Sequence, residues 1–305
     1  AGLIKNNGIE AILNINGVKT KNFNWNTDIN FSANRSKVIE LSDGLKIYQM
    51  ASKHAISVEA RVGERMGDMY GLPFARVQNT DPTAPYYDTK SEFVGQIVHG
   101  ANGRPLRTTN RVKLGNYNPD WLMGISNRFN YKNFNCSFLF DIRSGGKIYS
   151  QTQVVGREGG IIVETLEGRA NGYDLTQAGN GVIGAGVVAA STGGYEINTK
   201  KVSAREWHTA FTSGRNIAEG VTYDASFVKL RELQFGYSIP AKLLSKSPFT
   251  ALNISLVGRN LWLKDNVPHV DPETMSFNGG TAIPGIEAMA IPSTRSIGVN
   301  LSLKF

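Results

Sequence analysis

The chain contains very little cysteine and no long hydrophobic run. Cys136 is its only cysteine, so a disulfide within the chain is excluded. Because Cys136 lies between Phe134 and Phe138 on an apolar phase, we interpret it as a small hydrophobic side chain rather than a reactive thiol. No apolar run approaches the roughly 18 residues of a membrane-spanning helix. This excludes a helical membrane protein but not membrane strands, which present only every second residue to lipid.

The chain also lacks the motifs of common enzymes and metalloproteins. Its histidines are far apart and form no paired ligand motif, so they predict no zinc site. They are His54, His99, His208 and His269. No Gly-x-Ser-x-Gly segment presents a nucleophile. We therefore expect no enzymatic activity, no metal ion and no cofactor.

Two local patterns resemble ligand sites, and each has a simpler interpretation. Gly179 to Gly184 has the glycine spacing of a dinucleotide-binding loop, but polar residues precede it and small residues follow it, which favours an ordinary loop. Asp265, Asp271 and Glu273 could hold a hard cation together with backbone carbonyls. An acidic residue before proline more often begins a turn, so we predict turn residues here.

Positive charge exceeds negative charge, since 33 Lys and Arg residues stand against 25 Asp and Glu residues. The basic residues are scattered, and no basic cluster interleaves with aromatic residues on one element, so nucleic acid is not expected as a partner. Ala1 to Asn7 lack the charged and apolar regions of a secretion signal. For an exported protein we would expect the mature N-terminus to lie upstream of this sequence.

The last residues alternate strictly between apolar and polar side chains. The apolar parity consists of Ile297, Val299, Leu301, Leu303 and Phe305. Small or polar residues occupy the other parity from Ser296 to Lys304. This period of two predicts a strand with one apolar and one polar face. A strand of about ten residues with such faces is typical of a transmembrane β-barrel.

Six further segments alternate in the same way and are predicted to be strands. They cover residues 9–17, 23–31, 121–131, 134–142, 226–239 and 251–262. The connection Lys132-Asn133 is short enough to predict a tight hairpin. Longer stretches, 34–120, 144–225 and 263–292, are rich in glycine or proline and predict loops. Within them we expect short strands around 69–77, a strand near 148–154, and a short helix at 204–211.

The lengths of the connections alternate along the chain. If Phe305 ends on the periplasmic side, every long connection lies outside the cell and every short turn lies inside, provided the long stretches contain an even number of wall strands. Outer-membrane barrels follow this rule. The sequence thus predicts an all-β fold: an antiparallel transmembrane barrel portion with long extracellular loops.

Several sequence blocks lie along the chain in a characteristic order and spacing. The C-terminal blocks are Asp224 to Pro240, Gly258 to Trp262, Asp271 to Glu273 and the terminal strand. Earlier blocks are Asn7 to Glu10, Phe31 to Val38, Val62 to Gly67, Tyr70-Gly71, Gly115 to Pro119 and Gly145 to Tyr149. Together these blocks resemble the SusC/RagA family of TonB-dependent outer-membrane transporters, and their order and spacing make the resemblance specific. It covers nearly the whole chain.

The resemblance implies a barrel of about 22 strands, a plug domain in its lumen, a SusD-like lipoprotein lid, and coupling to TonB. With room for about eight to ten strands, residues 1–305 would form the C-terminal part of the barrel. The plug and the N-terminal strands would lie outside this chain. Expected partners are therefore the remaining barrel and plug, the lid, TonB through the absent part, the barrel assembly machinery, which would read Phe305, and outer-membrane lipid.

The function implied is import of a bulky nutrient, an oligosaccharide or an oligopeptide, across the outer membrane of a Bacteroidota-like bacterium. Aromatic residues of the long loops are the candidates for contact with substrate or lid, because they offer flat faces with polar tips. They are Tyr70, Tyr86, Tyr87, Tyr173, Tyr195, Trp207 and Phe277. Packing within the loops is the alternative for each. For the whole chain, the alternative is a soluble surface β-domain for adhesion or ligand binding.

Overall fold

The large sheet of the protein contains seven antiparallel strands whose spatial order follows the chain order. The computed structural model describes residues 2–89, 92–172, 174–210, 217–278 and 281–305, with backbone alone at 277, 278 and 281. The strands are β1 (Leu3–Lys19), β2 (Phe23–Glu40), β3 (Trp121–Tyr131), β4 (Phe134–Ser144), β5 (Phe227–Ser238), β6 (Ala251–Asp265) and β7 (Ser296–Lys304). All seven segments predicted as alternating strands are confirmed.

The register of the sheet gathers apolar residues on one face and polar residues on the other. Directly paired residues point to the same face. One row across the sheet consists of Leu13, Ile29, Ile125, Phe140, Leu230 and Trp262. A row of the opposite face consists of Asn24, Asn130, Asn135, Gly236, Ser255 and Asn300. We call these the apolar face and the inner face.

The apolar face is not covered by the chain itself. Side chains from several of its strands are exposed, among them Ile9, Leu13, Phe235, Leu256, Val299 and Leu301. A soluble domain would bury such a face in its core, because apolar surface in water is unfavourable. The exposed face therefore argues against the alternative of a soluble β-domain.

Short turns lie at one end of the large sheet and long connections at the other. Residues 20–22, 132–133 and 239–250 form what we call the turn end. Strand β2 pairs directly with β3, β4 with β5, and β6 with β7. None of the described residues of the long connections therefore contributes a strand to the large sheet. The predicted placement of long and short connections is confirmed.

Strands β1 and β2 are longer than predicted, with 17 and 18 residues. About 9–11 residues are enough to cross a membrane. Both strands continue past the alternating region, where residues such as Asn7, Arg35 and Lys37 break the pattern. Alternation is required only where one face meets lipid, so its loss marks the part of the hairpin beyond the membrane.

The long connections fold on one another into a second body, which we call the connection layer. Its strands are Ile47–Lys53, Ile56–Arg61, Asp68–Gly71, Val98–His99, Val112–Asn116, Lys147–Ser150, Val182–Ile183, Val187–Ala189, Tyr195–Ile197, Lys201–Val202, Thr222–Asp224, Ser276–Asn278, Thr281–Ile283 and Ile286–Glu287. Parallel pairs join distant parts of the chain, as between Tyr149 and Ile286. The layer holds the buried clusters around Met69 and Val187. The main hydrophobic core thus lies here.

Helices are few and short. They are α1 (Gln151–Gly159), α2 (Ala204–Ala210) and α3 (Ala241–Leu244), with 3₁₀ turns at Val163–Leu166 and Ala218–Val221. The predicted helix at 204–211 is confirmed as far as Ala210; residue 211 lies outside the described residues. Within the described ranges, no helix has the length and apolar character needed to cross a membrane.

Three expectations need correction. The predicted strand at 148–154 ends at Ser150, because the Ser150 hydroxyl accepts a hydrogen bond from the Gln153 amide (3.1 Å) and starts α1. The short strands expected around 69–77 are one strand, Asp68–Gly71, followed by isolated bridges at Phe74 and Arg76. The large sheet has seven strands rather than eight to ten, because the long connections form small sheets of their own.

Candidate functional site

A charged cluster joins the large sheet to the connection layer. Lys229 on β5 is only 1% exposed, and its Nζ lies 3.2 and 3.3 Å from the two carboxylate oxygens of Asp271. Lys229 also donates to Glu273. Arg231 donates to Asp141 on β4 (Nε to Oδ2, 2.8 Å) and to Glu273. The connection before β7 is therefore tied to two strands of the sheet by four charged side chains and Asp141.

The local sequence explains how this cluster forms. Lys229 occupies the inner-face parity of β5, opposite Asp141, and a bulge at Arg231 turns that side chain to the same side. In the connection, Asp271 precedes proline and accepts the Glu273 amide (3.1 Å), so both carboxylates point to one place. The Ser293 amide donates to Asp271 as well (3.2 Å).

The charges of the two carboxylates are stabilised by their neighbours. Burial alone would raise the pKa of Asp271, but hydrogen bonds from Ser293 and the Glu273 amide and the charge of Lys229 lower it below its ordinary value. For Glu273, burial also raises the pKa, but Arg231 and Lys229 lower it by more, so the pKa lies below its ordinary value. Both groups are therefore ionised at neutral pH.

The carboxylates predicted to begin turns do so. Lys229 and Arg231 occupy the oxygens that a cation would need, and Asp265 accepts the Val267 amide (2.7 Å). No group of three or more His, Cys, Asp or Glu suited to a metal ion occurs in the parts of the chain that the structure describes.

Tyr70 is buried in the connection layer. Its side chain is 3% exposed, its hydroxyl donates to Glu64, and the Arg61 guanidinium lies 3.5 Å from the ring centroid. Burial and the bond to Glu64 raise the pKa of Tyr70. Tyr70 therefore packs within the connection layer against Glu64 and Arg61.

Two other predicted aromatic residues are brought together. Tyr86 and Tyr195 both pack, half-buried, on the cluster that contains Val98 and Val187. Burial raises the pKa of Tyr195, and its neighbours Asp88 and Tyr86 add to the effect. These two rings form one half-exposed aromatic surface on the connection layer.

The remaining aromatic candidates are more dispersed. Tyr87 is half-buried and bridges to Gln78. Trp207 on α2 stacks on His99, with ring centroids 6.2 Å apart. Tyr173 and the side chain of Phe277 lie outside the described residues.

A cavity with both polar and apolar lining, the apolar part including Trp121 and Leu122, opens on the inner face near the connection layer. Its volume is about 330 Å³. The lining includes Asn6, Ser32, Asn34, Ser36, Arg65 and Asn118. Arg65 is held by the carbonyl of Pro119 (Nη2 to O, 2.9 Å). The cavity offers amide, hydroxyl and guanidinium groups, which suit hydrogen-bonding ligands.

Cys136 and Phe305 belong to the apolar face. Cys136 pairs with Phe129 and Phe235, as expected for a small hydrophobe. Phe305 is 78% exposed and packs on Phe249, with ring centroids 5.1 Å apart.

Several characterised receptors resemble the chain over its whole length. TonB-dependent receptor P3 of Formosa agariphila is 26% identical over 318 residues, which make up 29% of that receptor. TonB-dependent receptor P39 of the same organism is 24% identical over 345 residues, or 30% of its length. TonB-dependent receptor SusC of Bacteroides thetaiotaomicron is 22% identical over 323 residues, or 27%. No protein-family model matches the chain.

Solved structures show the same fold. The whole chain superposes on 30% of a chain of the RagAB peptide transporter, with a TM-score of 0.61 and 16% identity. For the RagAB peptide importer in its closed-closed state the TM-score is 0.63 at 17% identity, again over 30% of that chain. Along its whole length the chain is thus similar to a barrel portion of SusC-like TonB-dependent receptors. It spans less than a third of the length of these relatives.

This relationship orients the receptor portion in the outer membrane. Its apolar face meets lipid and its inner face lines the barrel. Long connections of such barrels lie outside the cell and short turns in the periplasm. The connection layer is therefore extracellular, and the turn end is periplasmic.

The sequence did not single out the cluster around Lys229 as a site. Its signal was nevertheless present: Lys229 stands at an inner-face position near the start of β5, and a charge that will be buried requires a partner. What could not be read from the sequence is that the partner lies in a connection 42 residues away.

Proposed function

We propose that residues 1–305 form the C-terminal part of the barrel of an importer that is energised through TonB. The observation that carries this proposal is the continuous seven-stranded sheet with an uncovered apolar face and a polar inner face. Its likeness to TonB-dependent receptors along its full length supports the same proposal. The plug and the remaining strands would come from the rest of the receptor. As a wall and loop portion, the chain would have no enzymatic activity.

We infer that the cargo is a bulky nutrient, an oligopeptide or an oligosaccharide. The cavity on the inner face offers polar groups beside apolar ones, and Tyr86 and Tyr195 offer an aromatic surface. Both suit a ligand with many hydrogen-bonding groups and flat faces. Related proteins that are described as peptide transporters support the oligopeptide. Tyr87, Trp207 and Phe277 remain candidates for contact with cargo or lid.

We also propose that a SusD-like lipoprotein covers the connection layer, and that the assembly machinery reads Phe305. The extracellular position of the layer supports the lid. The exposure of Phe305 at the periplasmic end supports its role as an assembly signal. Deleting Phe305 from the full-length receptor should then lower its yield in the outer membrane.

Uptake by whole cells tests the transport proposal. Cells with and without the full-length gene would be given labelled oligopeptides and labelled oligosaccharides, with and without a protonophore. We expect loss of uptake of one of the two classes in the deletion strain, and the same loss in wild-type cells after the protonophore. Native mass spectrometry of the complex, extracted in mild detergent, would identify a lid. Undiminished, protonophore-insensitive uptake of both classes by the deletion strain would contradict the proposal.

A further inference from the structure

The periplasmic turn end carries a concentration of lysines that comes from separate parts of the sequence. Four of them lie in the turns and two in the last inward-facing rows of the edge strands. They are Lys21, Lys132, Lys242 and Lys246 in the turns, and Lys19 and Lys304 in β1 and β7. All six are exposed. Across six spacings of about 4.8 Å, they extend over roughly 29 Å of the sheet.

Acidic side chains are missing from the same region of the sequence. Residues 18–24, 129–136, 236–254 and 299–305 contain these six lysines and neither Asp nor Glu. Elsewhere the chain has 27 basic and 25 acidic residues, so six of its eight net positive charges lie at this end. The positive charge of the protein is thus a local property of the turn end.

Hydrogen bonds hold neighbouring turns side by side. The Lys132 amide donates to Asn22 O (2.8 Å), and the Ser238 amide donates to Asn133 O (2.8 Å). The Thr250 amide donates to Lys304 O (2.7 Å). The lysines therefore belong to one continuous rim rather than to independent flexible loops.

An aromatic belt lies next to this rim on the apolar face. Phe23, Tyr131, Phe134 and Tyr237 form one row across β2 to β5. Phe134 and Tyr237 have ring centroids 4.8 Å apart. Such belts lie at the level of the lipid headgroups. Lys132 Nζ is 5.5 Å from the Tyr131 ring centroid, so its ammonium lies at the headgroup boundary.

We propose that the four turn lysines bind anionic phospholipid headgroups of the periplasmic leaflet. Within the described part of the chain, none of them forms an ion pair with a carboxylate. Lysine can extend its ammonium to a headgroup while its stem stays on apolar surface. Leu243, which is 73% exposed beside Lys242, adds an apolar contact that suits a membrane surface. The proposal depends on the outer-membrane position of the chain and not on what the receptor imports.

Lipid retention by the full-length receptor tests the proposal. The receptor would be placed in nanodiscs with equal amounts of phosphatidylglycerol and phosphatidylcholine, and the lipids it retains would be counted by native mass spectrometry. We expect the wild-type receptor to prefer phosphatidylglycerol. The preference should fall by about fivefold for each lysine in the variant Lys21→Gln/Lys132→Gln/Lys242→Gln/Lys246→Gln.

Two further variants serve as controls. Lys19→Gln/Lys304→Gln removes charge from the inner face of the same end and should retain most of the preference. Replacing the four turn lysines by arginine keeps the charge and should retain the preference as well. Migration of unheated and heated samples in gels would confirm that each barrel is folded.

Two results would overturn the proposal: a wild-type receptor without lipid preference, or a four-glutamine variant with undiminished preference. The second result would also be found if the lysines bound a periplasmic protein instead. Uptake would be measured on the same variants. Lipid preference requires only a folded barrel in a bilayer, so a failure of the lipid proposal can be told apart from a failure of the proposed transport.

Discussion

Asn127 and Thr27 are polar side chains on the apolar face, and they hydrogen-bond to one another. Asn127 Oδ1 accepts from Thr27 Oγ1 (2.7 Å) and from Trp25 Nε1 (3.0 Å). Polar groups that face lipid need internal partners, because the hydrocarbon provides none. The register of β2 and β3 places Thr27 directly opposite Asn127. Because the two side chains bond to one another, both polar residues can stand on the apolar face.

Removing the shared acceptor should be destabilising. Asn127→Leu leaves the Thr27 hydroxyl and the Trp25 N–H without a partner, which we expect to lower the free energy of unfolding by about 1–3 kcal/mol. The double variant Thr27→Val/Asn127→Leu should recover part of that loss. Urea unfolding of the full-length receptor in lipid vesicles measures both. Equal stability of the wild type and the single variant would contradict a role for this triad.

A charge on the apolar face should be far more damaging than one on the inner face. Ile125 lies in the middle row of the apolar face, paired with Ile29 and Phe140. Ile125→Arg should lower stability by about 2–4 kcal/mol and reduce the amount of folded receptor. Its sequence neighbour provides the matched control, because Ser126→Arg places the same charge on the inner face. If both variants assemble equally well, the assignment of the faces is wrong.

At the scale of elements, the ion cluster around Lys229 should make the docking of the last connection depend on pH. The folded-state pKa values of Asp271 and Glu273 are lowered, so their contribution to stability is complete above their ordinary values of 3.8 and 4.5. It is lost as the pH falls through the lowered values. Lys229→Met should therefore destabilise the receptor by about 3–5 kcal/mol at neutral pH.

Thermal unfolding between about pH 3 and pH 7 checks this linkage. The difference between wild type and Lys229→Met should shrink on acidification. Arg259→Met is the control, because Arg259 and Glu232 form an exposed pair (Nε to Oε2, 3.1 Å) whose loss should have little effect. A constant difference across the pH range would show that the carboxylates do not account for the effect of Lys229.

The elements that could be predicted from sequence are the strands with lipid on one face and a polar environment on the other. Strands such as β3 and β4 alternate because lipid lies on one side, and Lys132-Asn133 marks their turn. Helix α1 could also have been found, since Ser150 and Gln153 form the S-x-x-Q pattern of a helix start. The strand Lys147–Ser150 could not, because its partner at Ile286–Glu287 is specified only by tertiary packing.

The candidate site was less predictable than the wall. Tyr86 and Tyr195 were recognised as aromatic loop residues, but their common surface depends on the pairing of Val98 with Val187. The lysine rim illustrates the same limit. Its members are scattered in the sequence and become neighbours only because every short turn lies at one end of the sheet.

At the scale of the whole molecule, the large sheet has two edges that the described part of the chain does not pair. Strands β1 and β7 are exposed along their whole length, and each offers an edge with unpaired backbone groups. An open edge in lipid costs several kcal/mol for each unsatisfied group. We therefore expect residues 1–305, exported alone, to give no heat-modifiable barrel, while the full-length receptor does. Stable insertion of the isolated chain would contradict its assignment as a wall portion.

The pairing of β4 with β5 has an evolutionary consequence. Their facing ends, Arg143 and Phe227, are direct partners, although 83 residues separate them in the sequence. An extracellular connection that leaves and returns between adjacent strands can be lengthened, shortened or replaced by recombination without moving any other strand. A lineage can thus inherit its membrane wall unchanged while it exchanges whole extracellular connections.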